Sequence, residues 1–401
     1  MDQSTRLLLA CLAMRDGQAA PPELAQAPAP AWEAVAEQAS NYDVASLLYH
    51  RLRNAGPPVA LPVEAEQILA GVTLYNTERN QRLRRQLSQI LGALQGAGIP
   101  AIVLKGNHLA ELVYGDMAAR LIGDIDLLLP EEALFKCGGA FREIGYVPDY
   151  VEYWQPEGYS PHYYPPGKGS PVDLHGSLAH PGDPFTVDVA GVWERARPAR
   201  IAGASAWVLS PEDLIIHICL HASYQHLFLT GLRPFCDLAE IIRRYGDEIR
   251  WDELRGRALQ WGAGNCVYLT LLLTQRWLGA AIPDEVWRGL APAQMDDRVI
   301  GWAERRIFSA IGSQEDPWWD GLGTLRTASG FRGKLSAFLR VCFPSRRVMA
   351  EKYAVSPDAA RIYLYYPVRV AGLLRRDEKT AAWAEREEAR TGLRQWLAPA
   401  Q

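Results

Sequence analysis

The sequence predicts an α+β protein in which a small mixed sheet stands between two helix-rich stretches. Three observations predict this. Residues 1–98 carry apolar side chains mostly at helical spacing. Between residues 99 and 209 short apolar runs with β-branched and aromatic residues take over. From residue 210 to the end the helical spacing returns. The expected regions are therefore an N-terminal helical region 1–98, a sheet core 99–209 and a C-terminal helical domain 210–401. At roughly 150 residues per domain, a chain of 401 fits two or three domains.

Composition narrows the class. Apolar residues make up 48% and charged residues 22%, an ordinary soluble balance. A net charge of −4 gives no electrostatic reason for sequence-independent nucleic-acid binding. Cys11, Cys137, Cys219, Cys236, Cys266 and Cys342 form no CxxC pair, which argues against a zinc knuckle. Cys219 and Cys236, in apolar, helix-like surroundings, read as small buried hydrophobes in a reducing compartment. The apolar run at 7–14 is too short to span a bilayer, and no other stretch reaches that length without charges. A cytoplasmic protein with no membrane span is expected.

The elements follow in order. Pro21, Pro22, Pro28 and Pro30 mark a loop after an opening helix. Residues 62–96 read as one long amphipathic helix through Ile68, Leu69, Val72, Leu74, Leu83, Leu87, Ile90, Leu91 and Leu94. Asn76, Asn80 and Arg84 fall on another stripe of it, and Gly98-Ile99-Pro100 stops it. Residues 100–104 form a short buried strand, ended by Lys105-Gly106-Asn107 and a short helix at 108–114. Residues 122–129 make a second strand, and Pro130-Glu131-Glu132 open a helix to about residue 144. Segments 159–164 and 171–178 flank a Pro/Gly turn as a hairpin, and a further strand lies near 206–209. Ser210-Pro211-Glu212-Asp213 is a helix start: a capping serine, a first-turn proline and two acids. Helices are expected over 214–229, 234–245, 251–261 and 266–278.

The chemistry gathers at Gly123-Asp124-Ile125-Asp126. Residues i and i+2 of a strand share a face, so Asp124 and Asp126 project together. Two adjacent carboxylates repel unless a cation sits between them, and hard ions such as Mg²⁺ want oxygen ligands. A solvated edge pair is the bland alternative, but the apolar flanks of the motif disfavour it. Val172-Asp173-Leu174-His175 puts Asp173 on one face of another strand. If the two strands are neighbours, Asp173 completes a three-carboxylate cluster able to hold two metals around an in-line displacement at phosphorus. Lys105-Gly106-Asn107 ends a strand and opens a helix, a place where backbone N–H groups and a lysine can meet phosphate.

Taken in order, Leu104-Lys105-Gly106, Arg120, Gly123-Asp124-Ile125-Asp126-Leu127-Leu128 and Val172-Asp173-Leu174-His175 resemble the polymerase-β-like nucleotidyltransferase superfamily. More narrowly they resemble the bacterial family of uncharacterised nucleotidyltransferases, often linked to ribosomal-peptide clusters that include lasso peptides. Leu209-Ser210-Pro211-Glu212-Asp213, with His217, His221 and Asp237, is similar to that family's helical part, so the resemblance covers about 65–375. The resemblance implies that the sheet is the nucleotidyltransferase core. It implies that Asp124, Asp126 and Asp173 are the catalytic metal ligands, with two Mg²⁺ ions, and that an NTP, ATP being the one expected, is co-substrate. Lys105, Gly106 and Asn107 would neutralise the triphosphate, with Arg120 either joining them or making a salt bridge, and a nucleoside monophosphate would pass to a hydroxyl of a small molecule or peptide. One departure stands out: the superfamily usually carries Gly-Ser at the glycine turn, where this chain has Gly106-Asn107.

Other readings stay open at this point. His175 either assists the acceptor hydroxyl or packs in its strand, and Asp237 either faces the acceptor or caps a helix. His217 and His221 have zinc-pair spacing, but no glutamate follows His217, so a structural pair is favoured. Tyr150, Tyr153, Trp154, Tyr159, Tyr163 and Tyr164 could grip a base or a peptide, or simply form the hairpin. Arg332, Lys334, Arg340, Arg346, Arg347 and Lys352 read first as a solvated helical face. The competing functions are phosphoryl transfer from the same nucleotide site and a non-catalytic partner or antitoxin-like subunit.

Overall fold

The computed structural model describes residues 1–148 apart from 26, 58 and 135; 162–309 apart from 168 and 293–295; and then 343, 349, 359–368 and 380–399. The chain forms two compact units, Met1–Ile311 with Leu393–Gln401, and Gly312–Gly392. In the second unit Met349 and Ile362 are buried together, with Tyr365 and Tyr366 packed against them. The mixed α+β architecture expected from the sequence is the one observed, and it lies in the first unit.

Seven strands make one mixed sheet: β1 Ile102–Val103, β2 Ile125–Leu128, β3 Val147–Pro148, β4 His162–Tyr164, β5 Val172–His175, β6 Arg197–Ile201 and β7 Ala204–Val208, in the order β3-β4-β5-β2-β1-β7-β6. β2 runs parallel to β5 and β1 parallel to β7; the remaining pairs are antiparallel. The expected hairpin is β4–β5, with His162 opposite Asp173. Strand β6, not foreseen in the sequence, pairs with β7 through a tight turn in which Ala202 and Gly203 both take positive φ.

One face of the sheet packs on the helix Val63–Gly96. Proline precedes that helix, Glu64 and Glu66 sit in its first turn, and Gly98 follows it at φ 71°. Its Leu83, Leu87, Ile90, Leu91 and Leu94 meet Val103, Ile125, Leu127, Val172 and Leu174 in the core. Burial of this kind, at about 25 cal/mol per Å² of apolar surface, is the main force holding helix to sheet. The buried stripe differs from the expected one at its N-terminal half. Asn76 and Asn80 lie on it, while Leu74 is exposed. Two asparagines are tolerated there because loops and a serine meet their amides.

Beyond the sheet, helix Pro211–Leu220 starts as the sequence indicates, with the Ser210 side chain accepting from the Asp213 N–H. All ten of its residues are buried, so it is the central helix of the C-terminal half. It loosens into a wide turn at His221–Gln225 and ends before 229, because Leu227 and Phe228 take positive φ. Helices Arg233–Tyr245, Trp251–Gln260 and Gly264–Leu278 follow near the expected bounds. Five cysteines among the described residues are free and buried, Cys219 and Cys236 as expected; Cys342 lies outside them. No described helix is long and apolar enough to cross a membrane.

Candidate active site

Asp124 immediately precedes β2, Asp126 lies within it, and Asp173 stands directly opposite Asp126 on the parallel neighbour β5. Strand pairing therefore does what the sequence could only anticipate: ligand oxygens of Asp124, Asp126 and Asp173 all lie within 4.8 Å of one another. Ile125, between Asp124 and Asp126, and its partner Val172 on β5 lie in the core and pin the register.

The cluster is electrostatically strained. Burial and the neighbouring charge of Asp126 push the Asp124 carboxyl up to about 6. Burial acts in the same direction on Asp126. There the Lys105 ammonium and a hydrogen bond from His175 outweigh it and hold the carboxyl well below the usual range. Lys105 Nζ donates to Asp126 Oδ1 at 3.0 Å, and His175 Nε2 donates to the same oxygen at 2.8 Å. Asp126 Oδ2 is buried without a hydrogen-bond partner. A buried carboxylate oxygen with no partner is costly, and one hard cation shared among three carboxylates would satisfy it. The donor set fits a magnesium-like ion.

The turn that delivers Lys105 is fixed by close packing. Lys105 adopts φ 38°, unusual for a residue with a side chain. A Cβ at Gly106 would stand 3.0 Å from Ile122 Cγ2 and 3.2 Å from Arg120 Nη1, so a larger residue there would have to push both side chains aside. Asn107 is buried, and its amide donates to the Asp124 carbonyl at 3.4 Å. It steadies the backbone of a candidate ligand.

Arg120, Asp237 and His175 each have a partner within the protein. Arg120 is buried, and its Nε and Nη2 each donate to Asp237 at 2.7 Å, with Tyr114 Oη adding a hydrogen bond at 2.9 Å. Arg120 and Asp237 therefore face each other, and the pair joins the loop before Asp124 to helix Arg233–Tyr245. His175 meets Asp126 through its Nε2.

Several positioning residues were not singled out in the sequence. Asn80 donates to the carbonyls of Met117 and Arg120 at 2.6 and 2.7 Å and accepts from the Ile122 N–H at 3.0 Å. Arg79 donates to the carbonyls of Ile122 and Gly123 at 3.0 and 2.5 Å. Together they clamp the loop that leads into Asp124. Asn80 read as a polar stripe because spacing shows which residues share a face, not what that face meets. His162 Nδ1 lies 2.8 Å from Asp173 Oδ1. The period-two pair His162 and Tyr164 on a hairpin facing Asp173 was the signal that could have found it. His221 Nδ1 lies 3.4 Å from Lys105 Nζ, and the His226 ring packs 4.3 Å from that of His221. The His217 and His221 rings are 6.2 Å apart, and both nitrogens of His217 are buried without partners. Tyr163 stacks on Phe141 at 4.2 Å within the core, while Tyr150, Tyr153, Trp154 and Tyr159 lie outside the described residues. So do the basic residues Arg332, Lys334, Arg340, Arg346, Arg347 and Lys352.

Three convergent carboxylates on a mixed sheet, with a lysine at the adjoining strand-to-helix turn, have the donor chemistry of a site for transfer at phosphorus. The chain belongs to the family of uncharacterised nucleotidyltransferases, whose match spans residues 28–279. Among solved structures it is similar to the antibiotic-resistance factor ANT(2'')-Ia, studied in solution. That similarity runs at 16% identity and a TM-score of 0.34 over 45% of this chain and 91% of the other. No curated protein matches the chain.

Proposed function

We propose that the protein transfers a nucleoside monophosphate from an NTP, with ATP the expected donor, to a hydroxyl of a small molecule or peptide. A ribosomal peptide of lasso type is the peptide acceptor we favour. The observation that carries the reading is the convergence of Asp124, Asp126 and Asp173 from adjacent strands in a chain of this family. On this reading residues 99–209 are the catalytic core, and the helices on either side shape the cleft.

In this mechanism the acceptor oxygen attacks the α-phosphorus in line, the bond from that phosphorus to the bridging β-oxygen breaks, and pyrophosphate leaves. Asp124, Asp126 and Asp173 would hold two Mg²⁺ ions. When bound, those ions supply charge neutralisation at the triphosphate and acidify the attacking hydroxyl. Asp173 accepts the hydroxyl proton. His175 and His162 hold Asp126 and Asp173 in orientation, and Asn107, Asn80 and Arg79 fix the backbone that carries Asp124. Lys105 is the side chain placed to meet phosphate charge. Phosphate chemistry depends mainly on such positioning and charge neutralisation.

The test is incubation of the full chain with each of the four NTPs, Mg²⁺ and a panel of hydroxyl-bearing acceptors, read by intact mass. A mass gain of one nucleoside monophosphate with release of pyrophosphate is expected, and Asp126→Asn should lower the rate at least about 100-fold. A gain of phosphate alone would identify a phosphotransferase. No magnesium-dependent nucleotide binding at all would favour a non-catalytic partner.

A further inference from the structure

We infer that Lys105 is the internal counter-cation of the carboxylate cluster, and that it competes with divalent metal for Asp126. When metal enters, the ammonium leaves Asp126 and becomes free to meet the triphosphate. This rests on the transferase reading above and assigns Lys105 a second, opposing task within the same site.

Three observations carry it. First, the ammonium is not aimed at open solvent. It sits 3.0 Å from Asp126 Oδ1 and 3.4 Å from His221 Nδ1, with its side chain 12% exposed. Second, the acids need it there. Asp126 is 2% exposed and shares its surroundings with two more carboxylates within 4.8 Å, so without a positive charge the cluster would repel itself. Third, the backbone is set to deliver it. Lys105 holds a positive φ, and Gly106 beside it passes so close to Ile122 and Arg120 that an added Cβ would stand 3.0 and 3.2 Å from them, so the turn is closely packed. Motion is available in the flexible four-carbon stem of the side chain. A divalent ion on the same carboxylate places two like charges against each other. The doubly charged ion, with three carboxylates to bind it, displaces the singly charged one.

The consequence has a sign that a plain phosphate-binding lysine does not share. Removing Lys105 should tighten metal binding in the absence of nucleotide while weakening nucleotide binding. The experiment is Mn²⁺ titration, by electron paramagnetic resonance of the free ion, of the wild-type chain, Lys105→Met and Lys105→Arg without nucleotide. Lys105→Met is expected to bind Mn²⁺ about tenfold tighter than wild type, and Lys105→Arg to stay near wild type. Equal or weaker Mn²⁺ binding by Lys105→Met overturns the inference and leaves the transferase reading intact; no Mn²⁺ binding by any of the three overturns both.

Should Lys105→Met lack a cooperative melt, the wild-type chain answers by itself. Reductive methylation followed by peptide mass spectrometry reads the exposure of Lys105, with the exposed Lys136 as internal reference. Mg²⁺ is expected to raise labelling of Lys105 several-fold and leave Lys136 unchanged. Labelling of Lys105 that is unchanged or reduced by Mg²⁺ contradicts displacement.

Discussion

At the scale of single residues, the site is a balance of charges taken out of water. Asp124 is pushed up to about 6 by burial and by Asp126, whereas Asp126 is held low by Lys105 and His175 against its burial. Around them, histidines are kept neutral. Burial lowers His108 to about 3, and it lowers His217 well below its ordinary value. A histidine whose native pKa is depressed refuses a proton that the unfolded chain accepts. Its contribution to stability is therefore complete above about pH 6.5 and is lost as the pH falls below it. Asp124 runs the other way, since the native state takes its proton more readily than the unfolded chain between about 6 and 3.8. It offsets part of the loss, but two buried imidazoles outweigh one carboxyl. Urea unfolding should show the chain less stable at pH 5 than at pH 7.5, with His108 alone contributing about 2 kcal/mol of the difference at about 1.4 kcal/mol per pH unit. His108→Leu should shrink the difference by about that amount; an unchanged difference would show that the native protein protonates His108 freely.

At the scale of elements, the helix Val63–Gly96 has two tasks. Its C-terminal half supplies the apolar floor of the sheet, and its N-terminal half holds the approach to Asp124 through Arg79 and Asn80. Asn80 is fully buried and meets two carbonyls and an N–H, so Asn80→Ala leaves three backbone groups of the loop without partners. At about 1–3 kcal/mol for each unsatisfied buried group, partly relieved by water, the expected loss is about 2–4 kcal/mol by urea unfolding. Nucleotide affinity should fall with it, because the loop carries Asp124. An Asn80→Ala protein as stable as the parent would mean that the clamp is incidental. The hairpin β4–β5 works in the same manner from the other side, setting His162 against Asp173 across one register pair.

At the scale of the whole molecule, the order of elements and the three acids were legible in the sequence, and the network that holds them was not. Alternation in a strand fixes which residues share a face, so Asp124 with Asp126, and Asp173 with His175, followed from spacing alone. Strand order does not follow from spacing. Nothing local to residues 122–129 or 171–178 says that these strands lie side by side and parallel, so their adjacency entered only as a condition. The partners of Arg120, Asp237 and Asn80 were hidden for a related reason. Each bonds across more than thirty positions of chain, so nothing local to these residues names the partner. Strand β6 was missed because Ala202-Gly203 is a weak hairpin signal and Pro198 interrupts the run.

The account depends on three carboxylates from two neighbouring strands acting together as one cation site. The most direct measurement is anomalous diffraction from crystals of the protein soaked with Mn²⁺ and a non-hydrolysable NTP. Manganese peaks bounded by oxygens of Asp124, Asp126 and Asp173 at about 2.1–2.2 Å, with the triphosphate on the open side, are the result expected. Nucleotide bound elsewhere, or no manganese at these acids while Lys105 still bridges to Asp126, would contradict it.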